Sequence, residues 1–298
     1  MEEIKINGDV AFYEDGHKYV NLKKPQLKYT SVTTLISSFH EAFNVDFWSG
    51  YKALEKLMGD DFKNLGVKSY LLERKKNDLT ISDYVNEEEY YKTKRFITES
   101  YEKKRVESAK RGTDIHKQKE LRFYESNNIN PKNLGFILHD DYFECERNNF
   151  DLNRTKAVLP EYLIYYSSED EILNLAGQID LLIKDGNDIF IYDFKTNADG
   201  IESKAYFDHK KKTTKKMFYP INNLEDTKLM HYTLQLSLYA WMLQQINPNL
   251  NIKKLTLIHI DKEGVETQIE VEYKKMEIER LLKVFKKELK ITNLKSDV

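Results

Sequence analysis

Residues 177–196 read GQIDLLIKDGNDIFIYDFKT. Gly186-Asn187 marks a tight turn between two runs rich in Ile, Leu and Phe, which is the pattern of a β-hairpin because Gly accepts the positive φ such a turn demands. Symmetric pairing about that turn matches Asp185 with Asp188, Lys184 with Ile189 and, at the far end, Asp180 with Asp193. Directly opposed residues have Cβ atoms ~4.5–5.5 Å apart, where like charges are destabilising unless a cation lies between them. Leu181, Leu182, Ile183, Ile189, Phe190 and Ile191 surround the pair, so little water is left to screen the repulsion. A hairpin kept only for its structure has no need of two facing acids.

Working outward, Lys156 to Tyr166 and Asn174 to Ile183 read as successive strands rich in Val, Ile, Leu and Tyr. A connection centred on Asp170-Glu171 pairs Glu161 with Asp180, although a bulge in it would shift that register. Glu161, Asp180 and Asp193 then form a row of carboxylates across three strands. Lys195 falls on the face of Asp193, because strand side chains repeat every two residues. Hard oxygen ligands in a row suit Mg²⁺ or Mn²⁺, ions that keep several waters and also bind phosphate. The plainer alternative is a set of solvated acids at strand ends, with Lys195 as a surface partner.

Elsewhere the chain reads as helices first, then a mostly antiparallel or mixed sheet, then a helix and a closing hairpin, an α+β arrangement. Val10 to Leu22 holds a hairpin about Asp15-Gly16, and a helix begins after Ser31, a natural N-cap. The next helix carries Phe47, Tyr51, Leu54 and Met58 as one apolar stripe. Residues 86–126 are rich in Glu, Lys and Arg and predict one or two long helices, broken near Pro131, with a short helix carrying Phe136, Ile137 and Phe143 beyond. A helix spans about 227–246 before Pro248, strands cover about 255–260 and 267–273, and an amphipathic helix with Ile278, Leu281, Leu282, Phe285 and Leu289 closes the chain. We divide the chain into a helical N-terminal part, 1–108, packed on a core, 109–298.

With 298 residues there is ample length for a buried core. Only 11 Gly and 5 Pro exclude collagen-like and low-complexity classes. The 47 basic and 49 acidic side chains give a formal charge of −2, so any anionic ligand must be held by a local patch. The lone Cys145 excludes a four-cysteine zinc or iron–sulfur site within the chain and points to a reducing compartment. With no leader-like start and no run approaching the ~18 apolar residues of a membrane span, a soluble cytoplasmic protein is expected.

The ordered series Gly112-x-x-x-His116, Pro160-Glu161, Gly177-x-Ile179-Asp180, Asp193-Phe194-Lys195 and Gln235-x-x-x-Tyr239 resembles the RecB-type branch of the PD-(D/E)XK nuclease superfamily. Ser31-Val32-Thr33 and the chain length add a similarity to the mitochondrial genome maintenance exonucleases and their phage relatives, which would place the protein in a host cytoplasm if phage-encoded. The resemblance implies a restriction-endonuclease-like core and a two-metal Mg²⁺ or Mn²⁺ site without an iron–sulfur cluster. His116, Asp180, Asp193 and the backbone carbonyl of Phe194 would hold the metals, with Glu161 joining directly or through a water. Lys195 would position and help deprotonate the attacking water, and Gln235 and Tyr239 would brace the site and touch the DNA backbone. Tyr239 and Gln235 also lie on a helix apolar enough to be plain core.

Ala109 and Gly112 precede His116 at helical spacing, a small-residue stripe that would let the helix approach the sheet, and the imidazole must be neutral to coordinate. Residues 201–220, IESKAYFDHKKKTTKKMFYP, carry six lysines with aromatic flanks, a combination suited to single strands. Lys210, Lys211, Lys212, Lys215 and Lys216 are therefore expected to contact DNA as a flap, the plainer reading being a solvated loop. Lys103, Lys104, Arg105, Lys110 and Arg111 are candidates for a second wall, and Ser31 for a phosphate contact or simply a cap. The expected activity is a metal-dependent exonuclease acting on DNA with single-stranded or free ends in replication, recombination or degradation. The alternatives are an endonuclease of the same superfamily and a catalytically silent DNA-binding or inhibitory protein. No membrane partner is expected.

Overall fold

The structure is a computed structural model that describes residues 4–62, 80–125, 128–129, 143–144, 150–198, 200–208 and 212–296. Strands β1 (Ile4–Asn7), β2 (Val10–Tyr13) and β3 (Lys18–Asn21) form an antiparallel sheet, with Gly16 at φ +71° in the turn that Asp15-Gly16 predicts. The short β4 (Thr30–Ser31) leads into α1 (Val32–Ser37), which starts where Ser31 Oγ accepts the Thr34 amide hydrogen at 3.0 Å. In α2 (Val45–Met58) the buried positions are Ser49, Gly50, Ala53 and Leu54, so only Leu54 of the expected stripe is fully buried. Chain α3 (Glu87–Glu125) is one continuous helix, as the absence of Pro allows, with Glu87, Glu88 and Glu89 complementing the positive end of its dipole.

Two-residue strands β5 (Asn128–Ile129) and β6 (Phe143–Glu144) pair with each other. Phe143 is thus in a strand, not on the expected short helix, whose Phe136 and Ile137 lie outside the described residues. Then come β7 (Lys156–Ser167), β8 (Asn174–Asp185), β9 (Asp188–Lys195), the small pair β10 (Phe207–Asp208) and β11 (Thr213–Thr214), α4 (Lys228–Ile246), β12 (Asn251–Ile260), β13 (Glu266–Val271) and α5 (Lys275–Ser296).

The chain forms two compact units, Met1–Glu41 with Gly112–Val298, and Ala42–Arg111. The second has its own core of Ala53, Leu54, Phe62, Ile81 and Tyr90. The first is built on a mixed sheet of order β13-β12-β9-β8-β4, with β7 antiparallel along the other edge of β8. β12 runs parallel to β9, and β4 parallel to β8. One face packs on α4 and α5 through Leu234, Leu238, Leu243, Ile278 and Leu281, and α4 is apolar on nearly all sides because the sheet and α5 both cover it. The other face buries Phe123, Leu181, Ile183, Tyr192, Phe194 and Ile258.

Two irregularities in this sheet create the site. The β8–β9 ladder runs in the hairpin register from Asp185↔Asp188 to Leu181↔Tyr192 and stops there, one pair short of Asp180 and Asp193. β4 meets the same edge of β8 only at Leu175 and Ala176, so the strands fork at residues 177–180. The second irregularity is in β7, where Pro160↔Leu181 and Tyr162↔Ile179 bracket Glu161 opposite Asp180, as the sequence register predicts. Glu161 itself sits at φ +48°. For a non-glycine residue that conformation costs of order 1–3 kcal/mol and is found where surrounding structure enforces it. It also changes the phase of the strand: Ala157 and Leu159 face the α4 core before it, and Tyr162 and Ile164 after it.

Candidate active site

The fork is organised around the peptide of Phe194. On its β8 side, where the ladder has ended, the Phe194 amide donates to Asp180 Oδ2 at 2.6 Å. Its carbonyl oxygen lies 3.1 Å from His116 Nε2 on α3. A carbonyl can only accept, so Nε2 carries the hydrogen and Nδ1 is turned to the acids, 3.6 Å from Asp180 Oδ1 and 3.8 Å from Glu161 Oε1. The ligating atoms of His116, Glu161 and Asp180 all lie within 4.8 Å of one another.

A second group flanks Phe194. Asp193, 2% exposed, has Lys195 Nζ 2.6 Å from its Oδ2 and accepts from Gln235 Nε2 on its Oδ1 at 3.1 Å. Gln235 lies 3.4 Å from the Tyr239 hydroxyl one turn along α4. The Lys195 ammonium also stands over the Tyr232 ring, 4.6 Å from its centroid. Asp180 and Asp193 are therefore not the directly hydrogen-bonded pair of an unbroken hairpin. Each carboxylate has its own donors, which relieves the repulsion that a regular ladder would impose.

Burial pushes the Asp180 and Asp193 carboxyls above the ordinary carboxylate range, with the charge of Glu161 adding to it at Asp180 and that of Asp180 at Asp193. The charge of Asp180, aided by Glu161 and working against burial, lifts His116 to about 9. Burial pulls the Lys195 pKa down, but Asp193 and Asp180 outweigh it and the group ends above its usual value. Proton and ammonium thus hold together an acidic cluster that is nearly dry.

The donor set fits a divalent cation. Carboxylate oxygens with one imidazole match hard ions such as Mg²⁺ and Mn²⁺. Asp193 Oδ2 is buried and paired with the Lys195 ammonium at 2.6 Å, and a carboxylate oxygen has a second lone pair to offer an ion. Asp193 lies outside the His116–Glu161–Asp180 triad, and the Phe194 carbonyl is engaged by His116.

Other expected residues fall elsewhere. Ser31 Oγ serves as the cap of α1. Lys210 and Lys211 lie outside the described residues, and Lys212 is exposed. Lys215 Nζ is 2.9 Å from Asp226 Oδ2 and 3.4 Å from Glu41 Oε2, and Lys216 Nζ is 3.6 Å from Glu225 Oε1, so these two cations are already engaged. A methyl at Gly112 would meet only Thr196 Oγ1, at an ordinary 3.5 Å, so the helix's approach there does not require glycine.

Lys5 of β1 escapes sequence reasoning. It is 3% exposed, donates to Glu120 Oε1 at 3.0 Å and reaches to 3.9 Å of Glu161 Oε2, whereas its neighbours Ile4 and Ile6 are 42% and 50% exposed. Alternation in IKIN predicts the isoleucines inside, so nothing in that stretch reveals it.

A mixed sheet flanked by helices, forked at buried acids with a lysine two residues beyond an aspartate, is consistent with a restriction-endonuclease-like fold. The family model of the PD-(D/E)XK nuclease superfamily matches residues 84–297, and the chain belongs to that superfamily, whose members use divalent metals. No curated protein matches. A solved structure, "Crystal structure of SSO0001", is similar at 18% identity over 44% of this chain and 47% of that one, with a TM-score of 0.23. The chain thus matches about half the length of that structure. Among the described residues no helix is long and apolar enough to cross a membrane.

Proposed function

We propose that the protein is a Mg²⁺- or Mn²⁺-dependent deoxyribonuclease of the RecB-type branch that shortens DNA from ends, with preference for single strands, in replication, recombination or DNA degradation. The observation that carries this reading is the clamping of the Phe194 peptide by Asp180 and His116, with Asp193 and Lys195 on its flanks. That clamp gathers acids and a lysine from three strands at one fork.

In this reading His116, Glu161, Asp180 and Asp193 hold the cations. When bound, paired divalent ions neutralise charge on the phosphoryl oxygens and make water nucleophilic at neutral pH. Lys195, whose proton Asp193 and Asp180 retain, acts as a fixed positive charge that orients the attacking water and stabilises the developing oxyanion. Gln235 holds Asp193 in place, and Tyr239 supports Gln235. Lys212, with Lys210 and Lys211, remains the part of the lysine-rich segment suited to tracking phosphates.

The test compares linear with closed circular single-stranded DNA in Mg²⁺. Shortening of linear strands with circles left intact, and loss of that activity in Asp180→Ala, is the expected result. Cut circles would make the protein an endonuclease, and DNA that is bound but never cut with either metal would make it a silent binding protein. Undiminished cleavage by Asp180→Ala would remove the mechanism.

A further inference from the structure

The unit Ala42–Arg111 carries a cleft of about 330 Å³ between the residues that open α2 and one face of α3, lined by Phe43, Val45, Thr98, Tyr101, Lys104 and Arg105 among others. Phe43 is 62% exposed although large and apolar. Its ring lies parallel to that of Trp48, 2° between planes and 6.4 Å between centroids, and Tyr101 meets it edge-on at 5.7 Å. Singly exposed apolar residues are unremarkable, but two aromatic rings lining an open cleft, with Trp48 stacked beside Phe43, mark a binding surface. The charge beside them sets the chemistry of the ligand. Between residues 102 and 111 stand Lys103, Lys104, Arg105, Lys110 and Arg111 against the two acids Glu102, which lines the cleft, and Glu107. Glu102 grips the Arg105 guanidinium through two hydrogen bonds, 2.9 Å to Nε and 2.6 Å to Nη2, which fixes its plane at the cleft.

We propose that this cleft is a base-stacking platform for single-stranded nucleic acid, with bases laid on Phe43, Trp48 and Tyr101 and the phosphates held by Lys104 and Arg105. Aromatic faces with adjacent cations suit single strands because every base has a π-face, whereas paired bases hide theirs. The proposal deepens the nuclease reading, on which it rests for the kind of polymer that reaches this surface. It assigns to a second region of the chain the preference for unpaired strands that the acidic fork does not encode.

The experiment uses the full chain in EDTA, where nothing is cleaved, with an oligo-deoxythymidine 15-mer and an abasic strand of equal length as probes. Tryptophan fluorescence reports the site directly, because Trp48 is 36% exposed while Trp241, the other tryptophan, is 9% exposed in the core. Oligo-deoxythymidine should quench Trp48 and bind about tenfold more tightly than the abasic strand, and Phe43→Ala or Tyr101→Ala should each lose about five- to tenfold in affinity, with Phe43→Trp restoring it. Equal affinity for the two strands, measured on the unmodified protein, would overturn the proposal, as would unchanged binding by folded Phe43→Ala. Failure of the nuclease reading registers separately, as absence of cleavage when Mg²⁺ is added.

Discussion

Substituting Gly177 by alanine probes the contact that joins the forked strand to the α4 helix. Gly177 lies in β8 opposite Ile164, and a methyl there would stand 2.7 Å from Tyr239 Cε1, 3.2 Å from the Tyr239 hydroxyl and 3.2 Å from Val32 Cγ2. Favourable carbon–carbon contacts sit at ~3.5–4.0 Å, so the ring must retreat by about 1 Å. Tyr239 is 3% exposed and packed among buried side chains, which leaves it nowhere ready to go. Overpacking of this kind costs ~1–3 kcal/mol, and removing a glycine's excess unfolded-state freedom returns ~0.5–1 kcal/mol. The net loss of about 1–2 kcal/mol should lower the melting temperature by roughly 2–6 °C in calorimetry. Gly112→Ala is the internal control: its methyl meets Thr196 Oγ1 at 3.5 Å, and in a helix interior it should gain ~0.5–1 kcal/mol. Because Tyr239 supports Gln235, and Gln235 holds Asp193, Gly177→Ala should also lose turnover while Gly112→Ala keeps it. If Gly177→Ala melts at or above the unmodified protein, the close approach of Tyr239 is not a constraint. If both alanines destabilise alike, the small-residue stripe before His116 is the tighter contact after all.

Lys195→Ala should reduce turnover by about 10²–10³-fold, the scale of losing one preorganised electrostatic contact, while oligonucleotide anisotropy changes little; lost DNA binding would assign the lysine to the strand rather than the reaction. The pH dependence follows from His116: a pKa raised from 6.5 to about 9 means that its proton stabilises the metal-free fold fully below pH 6.5, a contribution lost as pH rises through about 9. A cation must displace that proton, so the melting shift on adding Mn²⁺ should be small at pH 6 and grow towards pH 9, and a shift independent of pH would show that His116 is not displaced. Lys5→Met removes the cation between Glu120 and Glu161 and should cost about 2–4 kcal/mol in denaturant unfolding, with Lys5→Arg recovering part; an unchanged midpoint would mean those acids are stable without it.

Turn chemistry made the hairpin legible. Gly186-Asn187 specifies its register, and every described pair from 185↔188 to 181↔192 follows it. Where the ladder ends was not legible, because that depends on a competition at the Phe194 amide between a strand partner and the Asp180 carboxylate. The placement of Glu161 opposite Asp180 follows from counting across the connection, but its positive φ has no residue-type signal, since the conformation is enforced by Pro160 and Tyr162 pairing on either side. In the lysine-rich segment the acidic partners of Lys215 and Lys216 were not legible, for a local reason. Lys216 bridges to Glu225 and Asp226 donates its amide to the Lys215 carbonyl, so the chain folds back and sets acids nine and eleven residues downstream against those lysines. The pair Glu225-Asp226 was the signal for that return. Lys5 was hidden because a buried ion cluster inverts the alternation of β1 that hydrophobic burial alone would set.

Charge counting connects these details to the proposed chemistry. Glu120, Glu161, Asp180 and Asp193 supply four negative charges around the fork, and Lys5, Lys195 and protonated His116 supply three positive ones. The metal-free site is therefore stable with a residual charge of about −1, and would repel a phosphodiester. Exchange of the His116 proton for one divalent ion brings the sum to about zero, which removes the repulsion and no more. A second ion brings it to about +2. At an effective dielectric of ~20, a unit charge pair ~4 Å apart is worth ~4 kcal/mol, so the step from neutral to positive is what would draw a phosphate into the fork. In the proposed reading Asp193, which is outside the His116–Glu161–Asp180 triad, would help hold that second charge. The broken ladder separates the two acids by a peptide whose amide and carbonyl are engaged by Asp180 and His116, and leaves Asp193 to Lys195 and Gln235; in the proposed reading this separation would let the two acids serve different ions.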